Sequence, residues 1–368
     1  MKILSVIGAR PNFIKAAPLV RLLLQRPETF QHMLVHTGQH YDARMSDSFF
    51  SDLAIPEPDV NLEVGSGSHA ETTGRVMMAI EPVIAGFGPD LVVVFGDINS
   101  TVAAAIAAKK LNIRLAHVEA GLRSLDRSMP EEINRLCTDA IADLLFTTDR
   151  IAGENLLREG HPAQNIHFVG NLMIDTLLAF RAAAAATKAS ERLGLAEGGF
   201  ATMTLHRPSN VDDSSTLRGI LEAVGELARQ MPIIFPVHPR TRKRIAAFGL
   251  DSFLASPSSQ RGIRPVEPLG YLEFLNLNMN ARLALTDSGG IQEETTVLGV
   301  PCLTLRDNTE RPITVEQGTN RLVGSSPPRI RAGIREVLAM DRRPRRPELW
   351  DGHAAERVVA VLEREVRP

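Results

Sequence analysis

The chain has 368 residues, a length that exceeds what one hydrophobic core usually supports and that suits two domains of roughly 150–200 residues each. Its 44% hydrophobic and 23% charged residues are typical of a soluble globular protein. The formal net charge of −2 argues against a nucleic-acid partner, so any phosphate binding must come from local arginines.

Three further features bear on the location of the protein. The two cysteines, Cys137 and Cys302, fall in a helical and a strand pattern respectively, so we expect reduced, buried thiols. No run approaches the roughly 18 apolar residues that a membrane-spanning helix needs. The opening MKILSVIGARPNFIK is typical of a first strand rather than of a signal peptide. We therefore expect a cytoplasmic protein with no membrane partner.

Short apolar runs alternate with helical patterns along the whole chain. In the first half the predicted strands are ILSVIG, HMLVHT, LVVVFG, RLAHVE, LLFTT and IHFVG. In the second half they are FATMTL, IIFPVHP, GIRPVEP, ARLALT and CLTL. An alanine-rich helix over residues 181–193 joins the halves, and an amphipathic helix, AAERVVAVLEREV, comes last. This alternation predicts an α/β protein with two Rossmann-like domains facing a cleft.

Carboxylates follow the predicted strands of the first half. Asp97 comes directly after LVVVFG and Glu119 after RLAHV, where ligands bind in a parallel sheet. Glu131 and Glu132 open a helix behind Pro130, and their alternative role is to stabilise that helix start. Basic side chains recur in similar places and point to an anionic ligand: Arg10, Lys15, Arg123, His206, Arg207 and His238.

The segment ARLALTDSGGIQEETTVLGVPCLTL predicts a strand, a tight turn, a helix and a second strand. The turn residues Ser288, Gly289 and Gly290 leave backbone N–H groups at the helix N-terminus, where an anion can bind. Glu294, one turn further on, suits ribose hydroxyls better than phosphate, and Arg311 follows the second strand. Together they predict a site for a sugar nucleotide diphosphate. The alternative is that the Ser-Gly-Gly turn only caps a helix.

Three kinds of site find no support. No GxGxxG fingerprint follows the first strand, where GARP stands instead, which argues against a dinucleotide cofactor. His32, His36 and His40 are spaced by four but fall on a strand pattern, so we predict no metal site. The sequence contains no GxSxG motif, so a covalent serine nucleophile is not predicted. We expect His117 to pack or hydrogen-bond within its strand.

The segments resemble a known family, the non-hydrolysing UDP-N-acetylglucosamine 2-epimerases. The matching stretches run in family order and are GARPNFIKAAPL, HTGQHYD, FGDINST, HVEAGLRS, MPEEINR, TLHRPSNVD, FPVHPRTR, TDSGGIQEE, LRDNTERP and EQGTNRLVG. The resemblance implies a glycosyltransferase-B fold whose terminal helix crosses back to the first domain. It thus implies an N-terminal domain of residues 1–172 with helix 353–368, and a UDP-binding domain of residues 173–352.

The resemblance also implies a reaction, the interconversion of UDP-GlcNAc and UDP-ManNAc without a cofactor. UDP leaves C1 while the C2 proton is removed, which gives 2-acetamidoglucal, and UDP then adds back. The resemblance assigns acid/base roles to Asp97, Glu119 and Glu131 without saying which removes the proton, and a role near the pyrophosphate to His206. The implied UDP-binding residues are Arg10, Lys15, Ser288, Gly289, Gly290, Glu294 and Arg311, with Phe274 stacking on uracil.

Departures from the family pattern bear on regulation. The histidine motif is HRPSN where many bacterial members have HRREN, and QHYD replaces a QHRxQ-like segment. Some bacterial relatives bind a second, activating UDP-GlcNAc, for which Gln39, Arg207 and His238 are the candidates here. Asp42 at a glutamine position argues against such allosteric activation. Relatives are often dimers, so the resemblance implies a homodimer.

Three alternatives to a UDP-GlcNAc 2-epimerase serving surface-polysaccharide synthesis stay open. One is a 2-epimerase of a modified UDP-sugar such as UDP-2,3-diacetamido-glucuronic acid, whose carboxylate would need an extra arginine. The second is a glycosyltransferase of the same fold, which would need an acceptor. The third is a nucleotide-sugar sensor, which would bind UDP-GlcNAc without exchanging its C2 hydrogen.

Overall fold

The computed structural model describes residues 1–38, 53, 55–256, 259–340 and 342–366, with Arg10 described by its backbone alone. The chain divides into two compact units, Met1–Ala179 with Glu348–Pro368, and Phe180–Pro347. The first unit therefore consists of two segments of the chain, and the second unit is a single insertion between them.

Strands and helices alternate as the apolar runs predict. The strands are β1 (Lys2–Ile7), β2 (Gln31–His36), β3 (Val60–Asn61), β4 (Leu91–Phe95), β5 (Arg114–Val118), β6 (Leu144–Thr147), β7 (Ile166–Phe168), β8 (Ala201–Thr204), β9 (Pro232–Pro236), β10 (Gly262–Val266), β11 (Leu283–Thr286), β12 (Cys302–Thr304) and β13 (Asn320–Leu322). The helices are α1 (Arg10–Leu24), α2 (His69–Phe87), α3 (Asn99–Lys110), α4 (Pro130–Ile141), α5 (Arg150–Arg158), α6 (Leu172–Ala186), α7 (Ala189–Arg192), α8 (Pro208–Val211), α9 (Ser214–Ala228), α10 (Pro239–Ala247), α11 (Tyr271–Asn280), α12 (Gly289–Leu298), α13 (Ile313–Glu316), α14 (Pro327–Leu338) and α15 (Ala354–Val366). Short 3-10 helices cover Ala163–Asn165 and Asp251–Phe253.

The first sheet is parallel with the strand order β3-β2-β1-β4-β5-β6-β7. All five residues of β4, LVVVF, are buried because helices cover both faces of a parallel sheet. β4 pairs with β5 in the register Val93 to Ala116, so both strands end at the same edge. The turns after them carry Asp97 and Glu119, and the fold thereby brings these two carboxylates to one end of the sheet.

The second sheet is also parallel, with the order β10-β9-β8-β11-β12-β13. β8 and β11 are neighbours, and Thr204 pairs with Thr286 at their carboxyl ends. The strand order runs from β8 to β9 and β10 on one side and from β11 to β13 on the other. The boundary between β8 and β11 is therefore the switch point, where open sheets bind ligands. The residues after these strands, His206 and Ser288, therefore lie at one place.

Two predictions need correction, one about a helix and one about a cysteine. The alanine-rich helix predicted over residues 181–193 begins earlier, in α6, and it breaks before α7 at Lys188, whose φ of 51° is left-handed. The thiol of Cys302 is buried as expected, but Cys137 is exposed, because it lies on the outward face of α4. Burial raises the pKa of the Cys302 thiol to about 12, so this thiol stays protonated. None of the described helices combines the length and apolarity that crossing a membrane requires.

The C-terminal segment is fastened within the first unit by buried hydrogen bonds. The Trp350 indole donates to the Thr148 carbonyl at 3.0 Å, and the Asp175 carboxylate accepts from Ala354 and Ala355 at the start of α15. Leu349 packs its carbonyl oxygen against Gly170, where an added Cβ would lie 2.1 Å from that oxygen. Gly170 has a φ of 91°, so both space and conformation require glycine there.

Gly170→Ala should therefore destabilise the first unit through a steric clash, and Gly160→Ala is the matched control. Gly160 has a φ of 90° with nothing within 4 Å of an added Cβ, so it carries the same backbone strain without the clash. We expect Gly170→Ala to lower the free energy of unfolding by about 2 kcal/mol more than Gly160→Ala. Urea unfolding followed by the fluorescence of Trp350 measures this difference, and equal losses would contradict it.

Candidate active site

Lys15 and Glu119 form a buried ion pair in the first unit. Lys15 lies on α1 and Glu119 directly follows β5, and both side chains are 6% exposed. Glu119 has a φ of 74°, an uncommon backbone conformation for a residue with a side chain and one that recurs at functional sites. The cavity beside the pair is lined by Lys15, Val118, Glu119, Phe146, Thr148, Val169, Gly170, Asn171 and Leu172.

A second ion-pair network holds Asp97. The Arg135 guanidinium from α4 contacts the carboxylates of Asp97 and Glu132. Glu132 is 1% exposed and also accepts from the backbone N–H groups of Ser124 and Leu125 at 3.0 and 2.9 Å. Burial raises the pKa of Glu132, but these hydrogen bonds and Arg135 outweigh it and hold the pKa below its ordinary value. Glu132 is therefore a structural carboxylate, whereas its neighbour Glu131 is half-buried.

His206 and Asp287 form the centre of a group of candidate site residues in the second unit. The His206 Nδ1 lies 2.8 Å from Asp287 Oδ1, and the other carboxylate oxygen accepts from the backbone N–H groups of His206 and Arg207. Burial raises the pKa of Asp287, but His206 and these donors outweigh it and lower that pKa to about 2. An ionised, fully buried carboxylate thus orients an imidazole that is 40% exposed.

The Ser-Gly-Gly turn begins α12 as predicted, and Arg311 packs against it. An added Cβ on Gly289 would lie 2.3 Å from Arg311 Nη1, so only glycine allows this approach. Within the described part of the chain, the Ser288 side chain makes no capping hydrogen bond, which counts against the simple capping role. Gly290 is half-buried beside it. A cation at a helix N-terminus opposes the helix dipole, so an anion is the expected neighbour.

Arg311 is more buried than a simple phosphate ligand would be. Its side chain is 6% exposed and lies between the carboxylates of Glu293, at 3.0 Å, and Glu310. Glu310 also contacts Arg306 at 2.7 Å and Arg207 at 3.9 Å. Three guanidinium groups and two carboxylates carry a net positive charge, so the cluster as a whole favours an anionic ligand.

Glu294 lies buried within α12, 4% exposed, beside Tyr271. Burial raises the pKa of Glu294 to about 7, a hydrogen bond with Tyr271 lowers it in part, and Glu293 raises it further. The same burial and the nearby Glu294 raise the pKa of Tyr271 well above its ordinary value. A carboxyl group that changes charge near neutral pH can accept hydrogen bonds from ribose hydroxyls when it is ionised.

The remaining predicted residues differ in how they are placed. Phe274 is half-buried on α11 and packs against an apolar cluster that includes Phe200 and Leu277. The His238 ring lies 6.0 Å from the His206 ring, centre to centre. Gln39 lies outside the described residues, as does the side chain of Arg10. Across the described chain, no group of histidine, cysteine and carboxylate side chains is arranged to hold a metal ion.

Several residues of the candidate sites in the two units were not predicted from sequence. Asp287 stands at a strand end directly before the Ser-Gly-Gly turn, and this position was the available signal for its role. Arg135 carried no such signal, because its contact with Asp97 depends on how α4 packs against the turn after β4.

These features place the chain among enzymes with two parallel-sheet α/β domains of the glycosyltransferase-B type. It superposes on the crystal structure of the Methanocaldococcus jannaschii UDP-GlcNAc 2-epimerase in complex with UDP-GlcNAc and UDP with a TM-score of 0.91. That comparison covers 98% of this chain and 99% of the other, at 43% identity.

A model of the UDP-N-acetylglucosamine 2-epimerase family matches residues 23–363, and the chain belongs to this family. It is 44% identical over 367 residues to the UDP-N-acetylglucosamine 2-epimerase of Methanocaldococcus jannaschii, covering 98% of this chain and 99% of the relative. It is also 42% identical over 366 residues to the UDP-2,3-diacetamido-2,3-dideoxy-D-glucuronate 2-epimerase of Pseudomonas aeruginosa, with 98% and 99% covered. The predicted family and fold are confirmed.

The raised pKa of Glu294 makes stability depend on pH. In the folded state the carboxyl group holds its proton up to about pH 7, whereas its ordinary pKa is 4.5. Folding therefore favours the protonated form, and the stability from this group is lost as pH rises from 4.5 to 7, by about 3 kcal/mol. Glu294→Gln removes the titration, so the variant should gain stability relative to the natural protein across that interval.

Chemical unfolding of both proteins at pH 5 and pH 8 measures the difference. Glu316→Gln, on the short helix α13, is the control for replacing a glutamate that is not buried. A constant difference between Glu294→Gln and the natural protein at both pH values would show that Glu294 does not titrate in this range.

Proposed function

We propose that the protein is a UDP-N-acetylglucosamine 2-epimerase, an isomerase that interconverts UDP-GlcNAc and UDP-ManNAc. The observation that carries the proposal is that the chain supplies both kinds of group the reaction needs. The second unit has a helix N-terminus at the Ser288 turn, a general position for an anion, beside the His206–Asp287 pair. The first unit has carboxylates at the ends of β4 and β5. The two relatives named for 2-epimerase activity support the same reaction class.

The chemistry explains why both kinds of group are required. C2 of the sugar has no adjacent carbonyl, so its proton cannot leave to give an enolate. In the proposed reaction the C1–oxygen bond breaks with its electron pair leaving on UDP, and a base takes the C2 proton. The C2–H electrons form the C1=C2 bond of 2-acetamidoglucal. In the return step a proton is delivered to the opposite face of C2, and UDP re-forms its bond to C1.

The roles of individual residues follow from charge. We propose that Asp97, Glu119 and Glu131 move the C2 protons, since proton removal and return need positioned carboxylates. Cations and backbone N–H groups stabilise the charge that develops on departing UDP, which is the proposed role of His206, Ser288, Gly289 and Gly290. Arg10, Lys15, Phe274, Glu294 and Arg311 are the further proposed substrate-binding residues. No step of this reaction requires a cofactor.

A second candidate reaction is the 2-epimerisation of UDP-2,3-diacetamido-glucuronic acid. The specific observation in its favour is the whole-chain identity of 42% to the Pseudomonas aeruginosa enzyme of that name. The elimination and re-addition steps would be the same, because both sugars carry an acetamido group at C2. The substrates differ at C3 and in the carboxylate attached to C5, so a direct comparison of substrates separates the two candidates.

Deuterium exchange tests the proposal. Purified protein incubated with UDP-GlcNAc in D2O should incorporate deuterium at C2 and form UDP-ManNAc, as followed by proton NMR. UDP-2,3-diacetamido-glucuronic acid and UDP-glucose run in parallel identify the preferred substrate, and UDP-glucose serves as the control because it has no 2-acetamido group. Unchanged UDP-GlcNAc after long incubation at high protein concentration would reject the proposed substrate. Epimer formation without an acceptor excludes a glycosyltransferase.

Glu131→Gln and Glu132→Gln should separate chemistry from structure. Glu131→Gln removes a proposed acid/base group, so we expect C2 exchange to fall about 100-fold or more with stability little changed. Glu132→Gln breaks the contacts to Ser124, Leu125 and Arg135, so we expect a loss of stability of about 3 kcal/mol. Exchange rates and urea unfolding are measured on both variants. Natural exchange in Glu131→Gln would remove Glu131 from the mechanism.

Four further predictions concern the regulation, assembly, location and pathway of the enzyme. Arg207 and His238, with Gln39, remain the candidates for binding a second, activating UDP-GlcNAc. A homodimer and use of the product in polysaccharide synthesis are proposals that rest on the family resemblance. A cytoplasmic location is proposed from the composition of the chain and its cysteines.

A further inference from the structure

The three candidate carboxylates of the first unit lie on three different segments. Asp97 is in the turn between β4 and α3, Glu119 directly follows β5, and Glu131 is in the first turn of α4. No single strand or helix can fix the distances between them. Proton transfer to and from one carbon atom nevertheless requires their mutual positions to be held to within a fraction of an ångström, as a displacement of about 1 Å can cost about 100-fold in rate.

Asp139, in α4, contacts the segment after β5 as well as β5 itself. Its carboxylate accepts from the His117 ring at 2.6 Å, from the Gly121 backbone N–H at 3.1 Å and from Arg123 at 2.7 Å. Burial raises the pKa of Asp139, but His117 and Arg123 outweigh it and hold that pKa below its ordinary value. Asp139 thereby joins the helix of Glu131 to the strand and loop that hold Glu119.

His117 extends this connection to the turn that carries Asp97. Its Nε2 lies 2.8 Å from the carbonyl oxygen of Gly96, the residue before Asp97. A carbonyl oxygen only accepts, and the carboxylate on the other side of the ring also only accepts. The two ring nitrogens of His117 thus contact Asp139 on one side and Gly96 on the other, and the ring is held between them.

The centre of the network is buried. The side chains of His117 and Asp139 are 0% exposed, so neither can touch a substrate. Arg123 donates onward to the Glu159 carboxylate at 2.8 Å, so each charge has a partner of opposite sign. Buried ion pairs contribute little net stability compared with apolar packing, and their best-supported benefit is a unique arrangement. This benefit is what three separate carboxylates need.

We propose that Asp139 and His117 are positioning residues that hold the carboxylates of Asp97, Glu119 and Glu131 in one arrangement. The proposal rests on the proposed function, since it assigns these carboxylates to one reaction. It explains why a buried charged network stands beneath this end of the first sheet and connects all three segments.

The test compares two variants with a matched control. Asp139→Asn and His117→Gln keep side-chain size while removing the ionic contact between them. Asp143→Asn is the control, because Asp143 also accepts a backbone N–H of β5, from Leu115 at 2.7 Å, and pairs with Lys109, but at the other end of the strand. The measurements are C2 deuterium exchange at saturating UDP-GlcNAc and UDP affinity by calorimetry.

We expect Asp139→Asn and His117→Gln to lower the exchange rate of folded protein about 100-fold, with KM and the UDP dissociation constant changed less than about twofold. Asp143→Asn should exchange at close to the natural rate. A positioning role lowers kcat alone, whereas a merely structural role reduces the amount of active protein and leaves kcat of the folded fraction unchanged. Natural kcat in folded Asp139→Asn or His117→Gln would overturn the proposal.

A measurement on the natural protein keeps the test decisive if the variants do not fold. Nitrogen-15 NMR of histidine-labelled protein at the pH of the exchange assay should show a nitrogen-bound hydrogen of the His117 ring that exchanges slowly with water, because the ring is buried and hydrogen-bonded. Rapid exchange of this hydrogen would overturn the proposal, because the His117 ring would then not be held between Asp139 and Gly96. If the natural protein fails to exchange deuterium, the proposed function fails instead, and the NMR result still decides whether the connection exists.

Discussion

The sites of both units depend on charges that are buried and paired. An isolated carboxylate in an apolar interior loses several kcal/mol of hydration, so it is tolerated only beside a cation or several N–H donors. Lys15 with Glu119 and His206 with Asp287 each meet this requirement within one unit. The fold provides it by placing strand ends next to helix starts, where backbone donors and side chains from different segments converge.

Glu294 is less completely paired than these carboxylates. The effect of its burial is larger than that of its hydrogen bond, and its pKa rises to about 7. Its contrast with Asp287, whose pKa falls to about 2, shows how the number of donors decides the outcome at equal burial. Asp287 accepts from two backbone N–H groups and Asn210 besides its contact with His206, whereas Glu294 has Tyr271 beside it and a second carboxylate, Glu293, nearby. The proposed nucleotide site thus combines a fixed charge with a variable one.

The sequence predicted most of the fold because strand and helix patterns are local. Each apolar run that predicts a strand corresponds to one, and the last amphipathic pattern corresponds to α15. β3 and β13 were missed because they are two and three residues long and their pairing depends on neighbouring strands. The break at Lys188 was missed because alanine-rich sequence carries no local stop signal.

The candidate sites were predicted only in part, for a related physical reason. Residues directly after strands, such as Asp97 and Glu119, could be named because the carboxyl edge of a parallel sheet is a general binding position. Which side chains pair with them could not, since Lys15 is far from Glu119 in sequence and Arg311 turns toward Glu293 and Glu310 only in the folded loop. Local patterns therefore located the sites, and long-range packing determines their electrostatics.

The return of α15 to the first unit has a consequence for biosynthesis. Thr148 and Asp175 accept hydrogen bonds from Trp350 and Ala354, which follow the second unit in the chain. The ribosome must therefore make the whole second unit before the first can be completed. The inserted unit is one continuous segment and can reach its native structure while the earlier one is still unfinished. The contacts of α15 can therefore form only after the second unit has been made, although all seven strands of the first sheet precede that unit in the chain.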